Sequence, residues 1–216
     1  MSRPDRLRAD ARRNHDAILA AARDVVIERG AGAPLDEIAR RAGVGIGTLY
    51  RRFADRGTLL TAVVRAALEQ SRDSAERASA EAGPDGTGLD ALARYMHDVL
   101  DVRVSAVIPQ VLDVDDLDRA AIAEVREQSA AAVERLIGAA HDDGSLPREV
   151  SFGDVGTLLV RLSRPLPGPV PAEVDAELAH RHLDLVLAGL RAGAEPLDEK
   201  GLSRAELSGL RDDEQS

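Results

Sequence analysis

Cysteine is absent from all 216 residues, which removes disulfides, thiolate metal sites and cysteine nucleophiles together. Its absence fits a reducing compartment. Aromatic residues are almost as scarce, with two tyrosines, two phenylalanines and no tryptophan, a poor supply for a cage around a planar cation. No run approaches the roughly 18 consecutive apolar residues of a membrane span. The first apolar residues are scattered among charges instead of following a basic start. The expectation is a chain without leader or membrane segment, working in the cytoplasm. Strand-like alternation of useful length is missing as well. So are the H-E-x-x-H, G-x-S-x-G and P-loop patterns. The histidines stand at 15, 97, 141, 180 and 182. His180 and His182, two apart, point to opposite sides of a helix and make a poor metal pair. No catalytic residue, metal or cofactor is expected.

What the chain does contain is helical periodicity. Ile18, Leu19, Ala22, Val25 and Val26 fall on one stripe of a helix running from Arg12 to Arg29, with Gly30 just past its end. Leu35, Ile38, Ala39 and Ala42 make a second stripe, followed by Gly43, a residue suited to the positive φ that ends many helices. Ile46 to Phe53 makes a third short helix, with Leu49 and Phe53 on one face and Thr48, Tyr50, Arg51 and Arg52 on the other. Helix, glycine-containing turn and helix is the spacing of a helix-turn-helix, whose second helix enters a DNA major groove. The glycines at 43, 45 and 47 also suggest a dinucleotide loop. That reading fails, because Thr48 stands where its last glycine belongs and the preceding element is helical, not a buried strand.

A net charge of −10 argues against nucleic acid until its distribution is examined. Of the 28 basic and 38 acidic residues, residues 1–56 hold 12 arginines and 8 acids, leaving 16 basic and 30 acidic residues for the remainder. A basic end on an acidic body is expected to meet phosphate at that end alone.

Downstream, Asp55 is placed to cap a helix carrying Leu59, Leu60, Val63, Val64, Ala67 and Leu68. Residues 83–88, Gly-Pro-Asp-Gly-Thr-Gly, are the clearest loop. Beyond them the stripes are all helical: Leu89 to Leu100, Val104 to Leu112 with Pro109 expected to kink or end it, Leu117 to Ala140, Phe152 to Leu162, and Ala172 to Ala192. The prolines of 164–171 exclude helix between the last two. The fold class is all-α, with about nine helices arranged as a three-helix DNA-binding domain and a larger C-terminal bundle.

The stretch GVGIGTLYRRFADRGTLL, preceded by an amphipathic helix ending in ERG, resembles the DNA-binding signature of TetR-family transcriptional regulators. The motif match runs from about Arg12 to Leu60. Two departures occur, Pro34 and Gly45 standing where the family usually has Ser or Thr, so two side-chain helix caps are lost. The resemblance implies that Thr48 and Arg51 reach base edges, while Tyr50, Arg52 and Arg56 hold phosphates, with Gly45 and Gly47 at the start of the recognition helix. It implies an operator of double-stranded DNA and a homodimer joined through the last two long helices, with Leu183, Val186, Leu187 and Leu190 at the interface. It also implies a small-molecule effector in the bundle, for which Tyr95, Met96, His97, Phe152 and Arg161 are candidate lining. The expected division is a flexible arm over 1–11, the helix-turn-helix domain over 12–58, a ligand-binding and dimerisation domain over 59–196, and a loose charged tail over 197–216. Gly57, where the family often has an acidic residue, is expected to soften the start of its helix. The function implied is a repressor released from its operator by the effector. The alternatives are a helical interaction module or a helix-bundle enzyme.

Overall fold

A computed structural model describes residues 3–83, 86–111, 114, 116–193 and 199–212, and all regular structure among them is helical. Ten helices follow one another: α1 (Arg3–Arg29), α2 (Leu35–Arg41), α3 (Ile46–Arg52), α4 (Arg56–Ala80), α5 (Gly88–Asp101), α6 (Val104–Val111), α7 (Arg119–Asp142), α8 (Phe152–Leu162), α9 (Ala172–Arg191) and α10 (Arg204–Asp212). Among the described residues, no helix is long and apolar enough to cross a membrane. Expectations for residues 1–2, 84–85, 112, 194–198 and 213–216 fall outside the described residues.

The helices form two units. The first comprises residues 1–68 and 107–126, so it takes in the start of α4, most of α6 and the start of α7 as well as the three N-terminal helices. The expected boundary at 58 is thus displaced, and a later segment returns to the first unit. Its core joins Ile18, Ala22, Val25 and Val26 of α1 to Ile38 and Ala39 of α2, Leu49 of α3, Phe53, and Leu59, Leu60, Val63 and Val64 of α4. Val107, Val111, Leu117 and Ile122 are buried in the same unit. α1 begins at Arg3, well before Arg12, because nothing between Pro4 and Arg12 breaks a helix and proline is tolerated in the first turn. The segment expected to be a flexible arm is therefore helical from Arg3 onward.

The second unit comprises residues 69–106 and 127–216. α5 is set by a capping box, in which the Asp90 amide donates to the Thr87 hydroxyl at 3.1 Å and the Thr87 amide donates to the Asp90 carboxylate at 3.2 Å. That exchange satisfies two amides at a helix start that would otherwise lack partners. Hydrogen bonds from Thr87 and Arg191 hold the Asp90 carboxyl below its ordinary range. The core of this unit joins Leu89, Leu92, Tyr95, Met96, Val99 and Leu100 of α5 to Val133, Leu136 and Ile137 of α7, Val155 and Leu159 of α8, and Leu183 and Leu187 of α9. Pro109 lies inside α6, which ends soon after it at Val111.

The charged C-terminal stretch is fastened, contrary to expectation. Gly201 donates its amide to the Glu149 carbonyl at 2.9 Å, and the Leu202 carbonyl accepts from the Gly153 amide at 2.9 Å and the Ser151 hydroxyl at 2.6 Å. Arg204 then pairs with Glu127 and Glu134. A Cβ on Gly153 would meet the Leu202 carbonyl at 2.3 Å, so the chain passes closer than any larger residue there allows.

Candidate nucleic-acid interface

The turn between α2 and α3 is built from backbone hydrogen bonds. Val44 donates to Ala39 O at 3.0 Å and Gly43 donates to Arg40 O at 3.2 Å, the paired bonds of a Schellman ending. Gly43 sits at φ +68, a conformation in which a Cβ is penalised. α2 is held to α1 by charge: Arg41 forks onto Glu28 at 2.6 and 2.8 Å, and Arg29 reaches Glu37 at 2.8 Å. The fork raises the Arg41 pKa further above its ordinary value.

This frame fixes which way α3 faces. Leu49 is fully buried and Phe53 nearly so, and His15 of α1 packs against the Phe53 ring with centroids 5.4 Å apart. With that side committed to the core, the opposite side presents Gly47, Tyr50, Arg51 and Arg52 to solvent, with Thr48 half-buried beside them. Tyr50 is 52% exposed, whereas the other tyrosine, Tyr95, and Phe53 are buried. Arg51 Nη2 donates to Thr48 Oγ1 at 2.7 Å, which holds the two side chains as a unit. Gly45 provides no side-chain cap and lies extended at φ −71, ψ 146. The amides of the first turn of α3 therefore have no hydroxyl bound to them. Pro34 likewise gives α2 no cap, and Asp36 and Glu37 supply negative charge to its first turn instead, where the helix dipole favours it.

Arg56 behaves differently from its expected role. Its Nη1 donates to Ala31 O at 2.8 Å and Ala33 O at 2.5 Å, and the side chain is half-buried. The guanidinium is turned inward to clamp the loop between α1 and α2, so it is not presented to a phosphate. Gly57 also carries a different role from the one expected. A Cβ there would stand 2.4 Å from Asp116 O and 2.9 Å from Asp116 Cβ. The glycine makes room for a neighbouring backbone instead of loosening the helix. Asp55 caps α4 as anticipated: Thr58 donates its amide to Asp55 Oδ1 at 2.7 Å, and this bond lowers the Asp55 pKa.

In the second unit the candidate ligand residues do not converge. Tyr95 and Met96 are buried in the core, and Tyr95 Oη meets Ser71 Oγ at 3.1 Å. Burial pushes the Tyr95 phenol up to about 12. Phe152 is half-buried and Arg161 exposed. Only His97 of the five borders the open groove of about 490 Å³ between α4, α5 and α9, whose other polar lining includes Glu81, Asp90, Arg94, Asp184 and Arg191. His180, a poor metal partner for His182, instead places its Nδ1 2.7 Å from that of His97, a contact not expected from the sequence. Nothing local signals this contact, because the partners are 83 residues apart.

The proposed interface residues divide as well. Leu183 and Leu187 are buried inside the unit, at 0% and 1% exposure, so they are corrected to core positions. Val186 is 40% exposed and Leu190 half-buried. The outward apolar face of α9 is made by Val174, Leu185 and Val186. The two leucine positions separate from Val186 because one side of α9 packs on α5 and α8.

A profile for bacterial regulatory proteins of the tetR family matches residues 18–63, and a profile for the C-terminal domain of SbtR-like transcriptional regulators matches residues 88–192. A TetR transcriptional regulator from Streptomyces coelicolor is 33% identical, over 82% of this chain and 98% of that one, with a TM-score of 0.56. A TetR transcription regulatory protein from Mycobacterium vanbaalenii is 28% identical, over 86% and 99%, with a TM-score of 0.55. The TetR-like regulator LfrR from Mycobacterium smegmatis, solved with proflavine, shares the fold at 24% identity over 86% and 99%, with a TM-score of 0.59. No curated protein matches the chain.

Proposed function

The chain belongs to the TetR family of bacterial transcriptional regulators, and from that premise we propose that it is a repressor that binds a palindromic operator as a homodimer and lets go when a small molecule occupies its second unit. DNA-binding transcriptional regulation is the function of the fold; the repression, the effector and the dimeric operator are our reading. It acts in the cytoplasm, where the DNA is, and returns its effector chemically unchanged.

The observation that carries the reading is the facing of α3. Leu49 and Phe53 lock one side into the core, and Thr48, Tyr50, Arg51 and Arg52 stand together on the other. A short helix so presented fits a major groove. Its arginines can fork onto guanine edges or neutralise phosphate, and its tyrosine can hydrogen-bond to phosphate. Of these, Arg51 and Thr48 are assigned to bases, and Tyr50 and Arg52 to the backbone.

One such helix reads few base pairs, so two copies are required for a genomic site, spaced about 34–36 Å apart to enter successive major grooves. The exposed apolar side chains of α9 support a homodimer through that helix, since Leu185 at 59% and Val174 at 44% exposure are costly to leave in water. α4 supports the link between effector and DNA, because it contributes its first residues to one unit and Glu69–Ala80 to the other. An effector preferring one setting of that helix changes operator affinity by the usual 5–150-fold of about 1–3 kcal/mol of coupling.

Selection of bound sequences from a random duplex pool at fixed salt tests the reading. The expected result is a palindrome with half-sites about one helical turn apart, and Arg51→Ala loses discrimination at specific positions within each half. Recovery of sequences no different from the starting pool would favour a helical interaction module.

A further inference from the structure

We propose that Asp101, His180, His97 and Asp184 form a one-proton clasp that fastens α9 to α5, strongest near pH 6.5 and released by both acid and alkali.

His97 Nε2 lies 3.1 Å from Asp184 Oδ1, and His180 Nε2 lies 3.0 Å from Asp101 Oδ1. An ionised carboxylate only accepts hydrogen bonds, so both Nε2 atoms carry hydrogen and donate. The two Nδ1 atoms are 2.7 Å apart, and the ring planes lie within 7° with centroids 5.0 Å apart. That separation is the largest two imidazoles joined by such a contact can reach. It requires the rings to share a plane edge to edge, with both nitrogens on the line between the centres. In this arrangement the N–H of one ring points along the lone pair of the other. The contact needs one hydrogen between the nitrogens: none leaves two lone pairs opposed, and two leaves two N–H groups opposed. Four nitrogens thus hold three hydrogens. The pair is one imidazole and one imidazolium, a single positive charge between two carboxylates.

The surroundings suit that charge. The two histidine side chains are 30% and 28% exposed, so the contact is partly shielded. Along α5 the other charged groups are Asp90, paired with Arg191 of α9 at 2.9 Å, Arg94, and Asp98, paired with Arg77 of α4 at 2.9 Å. Glu81, just past the end of α4, stands at the groove that His97 borders. α9 adds Glu177 and Arg181, and α8 carries only Asp154, hydrogen-bonded to Ser151, and Arg161. None of these residue types ordinarily changes charge between about pH 5 and 8. No third His, Cys or carboxylate joins the pair into a metal-sized cluster among the described residues. A proton, not a metal ion, is the occupant this geometry fits.

The pH dependence follows with a definite sign. Stability changes with pH as the number of protons bound by the unfolded chain minus the number bound by the folded one. The clasp holds one proton beyond the neutral pair. Unfolded, the two histidines hold two in acid, one near their ordinary value of about 6.5, and none in alkali. Below about pH 6.5 the unfolded chain binds more protons, so the clasp strengthens as pH rises; above it the sign reverses. A lone histidinium on a carboxylate behaves otherwise, losing strength only as pH rises. The helix held in this way carries the exposed Val174, Leu185 and Val186, so the clasp makes proton concentration an input to the setting of that face.

The test uses the full chain without DNA, which keeps it independent of the regulator reading. Urea unfolding of the wild type, His97→Gln, His180→Gln and the double variant between pH 5 and 8.5 yields the coupling between the two rings. The expected coupling is about tenfold in the unfolding constant near pH 6.5, falling about threefold one unit to either side. His182→Gln, altering the exposed histidine on the same helix, leaves that profile in place. Nitrogen-15 spectra of the wild-type rings, which require no variant, are expected to show both Nε2 atoms protonated and the two Nδ1 atoms sharing one hydrogen at pH 6.5. A coupling that only declines with rising pH, or two Nδ1 atoms that titrate independently, would overturn the proposal. So would a melting temperature raised by Zn²⁺ in the wild type and not in His97→Gln, which would put a metal between the rings.

Discussion

Replacing Arg56 with alanine separates a phosphate contact from an internal clamp. Arg56 Nη1 donates both of its hydrogens to the Ala31 and Ala33 carbonyls, at 2.8 and 2.5 Å. Hydrogen bonds to charged groups contribute about 1.5–3 kcal/mol net. Both bonds come from one nitrogen and are part-buried, so the pair is expected to contribute about 2 kcal/mol in total. For a chain of this size that corresponds to a melting point lower by about 4–8 °C. Because the guanidinium is engaged with the protein, it releases no counterion from DNA, and the slope of log affinity against log salt stays as in wild type. Arg52→Ala, by contrast, lowers that slope by about one with little change in melting. Fluorescence anisotropy on a labelled duplex at four salt concentrations, alongside thermal unfolding by circular dichroism, measures both quantities. An Arg56→Ala protein that melted like wild type yet lost one unit of salt slope would show that Arg56 sits on phosphate, and the inward clamp would be wrong.

Other substitutions probe the same packing. Gly57→Ala should gain about 1 kcal/mol of helix propensity and still destabilise by about 1–3 kcal/mol, because the new Cβ would overlap Asp116 O at 2.4 Å; a urea midpoint equal to or above wild type would contradict the close approach. Tyr95 ionises near pH 12, above the ordinary 10, so the stability it adds is complete below about pH 10 and is lost as pH rises toward 12, and its absorbance step should coincide with unfolding. Leu185→Asp, at a side chain 59% exposed in the single chain, should leave the protomer folded and shift sedimentation from dimer to monomer; unchanged sedimentation would place the dimer contact elsewhere.

Much of this protein is written in local pattern. The apolar spacing of each segment, Gly43 after α2 and Asp55 before α4 are enough to place the helices and their caps, since a helix satisfies its own backbone and needs only one apolar stripe to find the core. The burial of Leu49 and Phe53, and with it the outward set on α3, follows from the same spacing. What the spacing cannot carry is which neighbour covers which part of a stripe. Leu183, Val186 and Leu187 belong to one apolar run, yet α5 and α8 cover the two leucines and leave the valine exposed. Arg56 is long enough to point inward or outward, and only the position of the Ala31 and Ala33 carbonyls decides it. Gly57 reads as a weak point in a helix until the backbone of Asp116 is found against it. The tail from Lys200 onward looks like solvated charge, because backbone bonds to Glu149 and Gly153 leave no compositional trace. The His97–His180 contact is the extreme case. Two helices must cross at one height and one rotation before either ring acquires a partner, and that condition belongs to packing between distant segments, where no periodicity within a segment can express it.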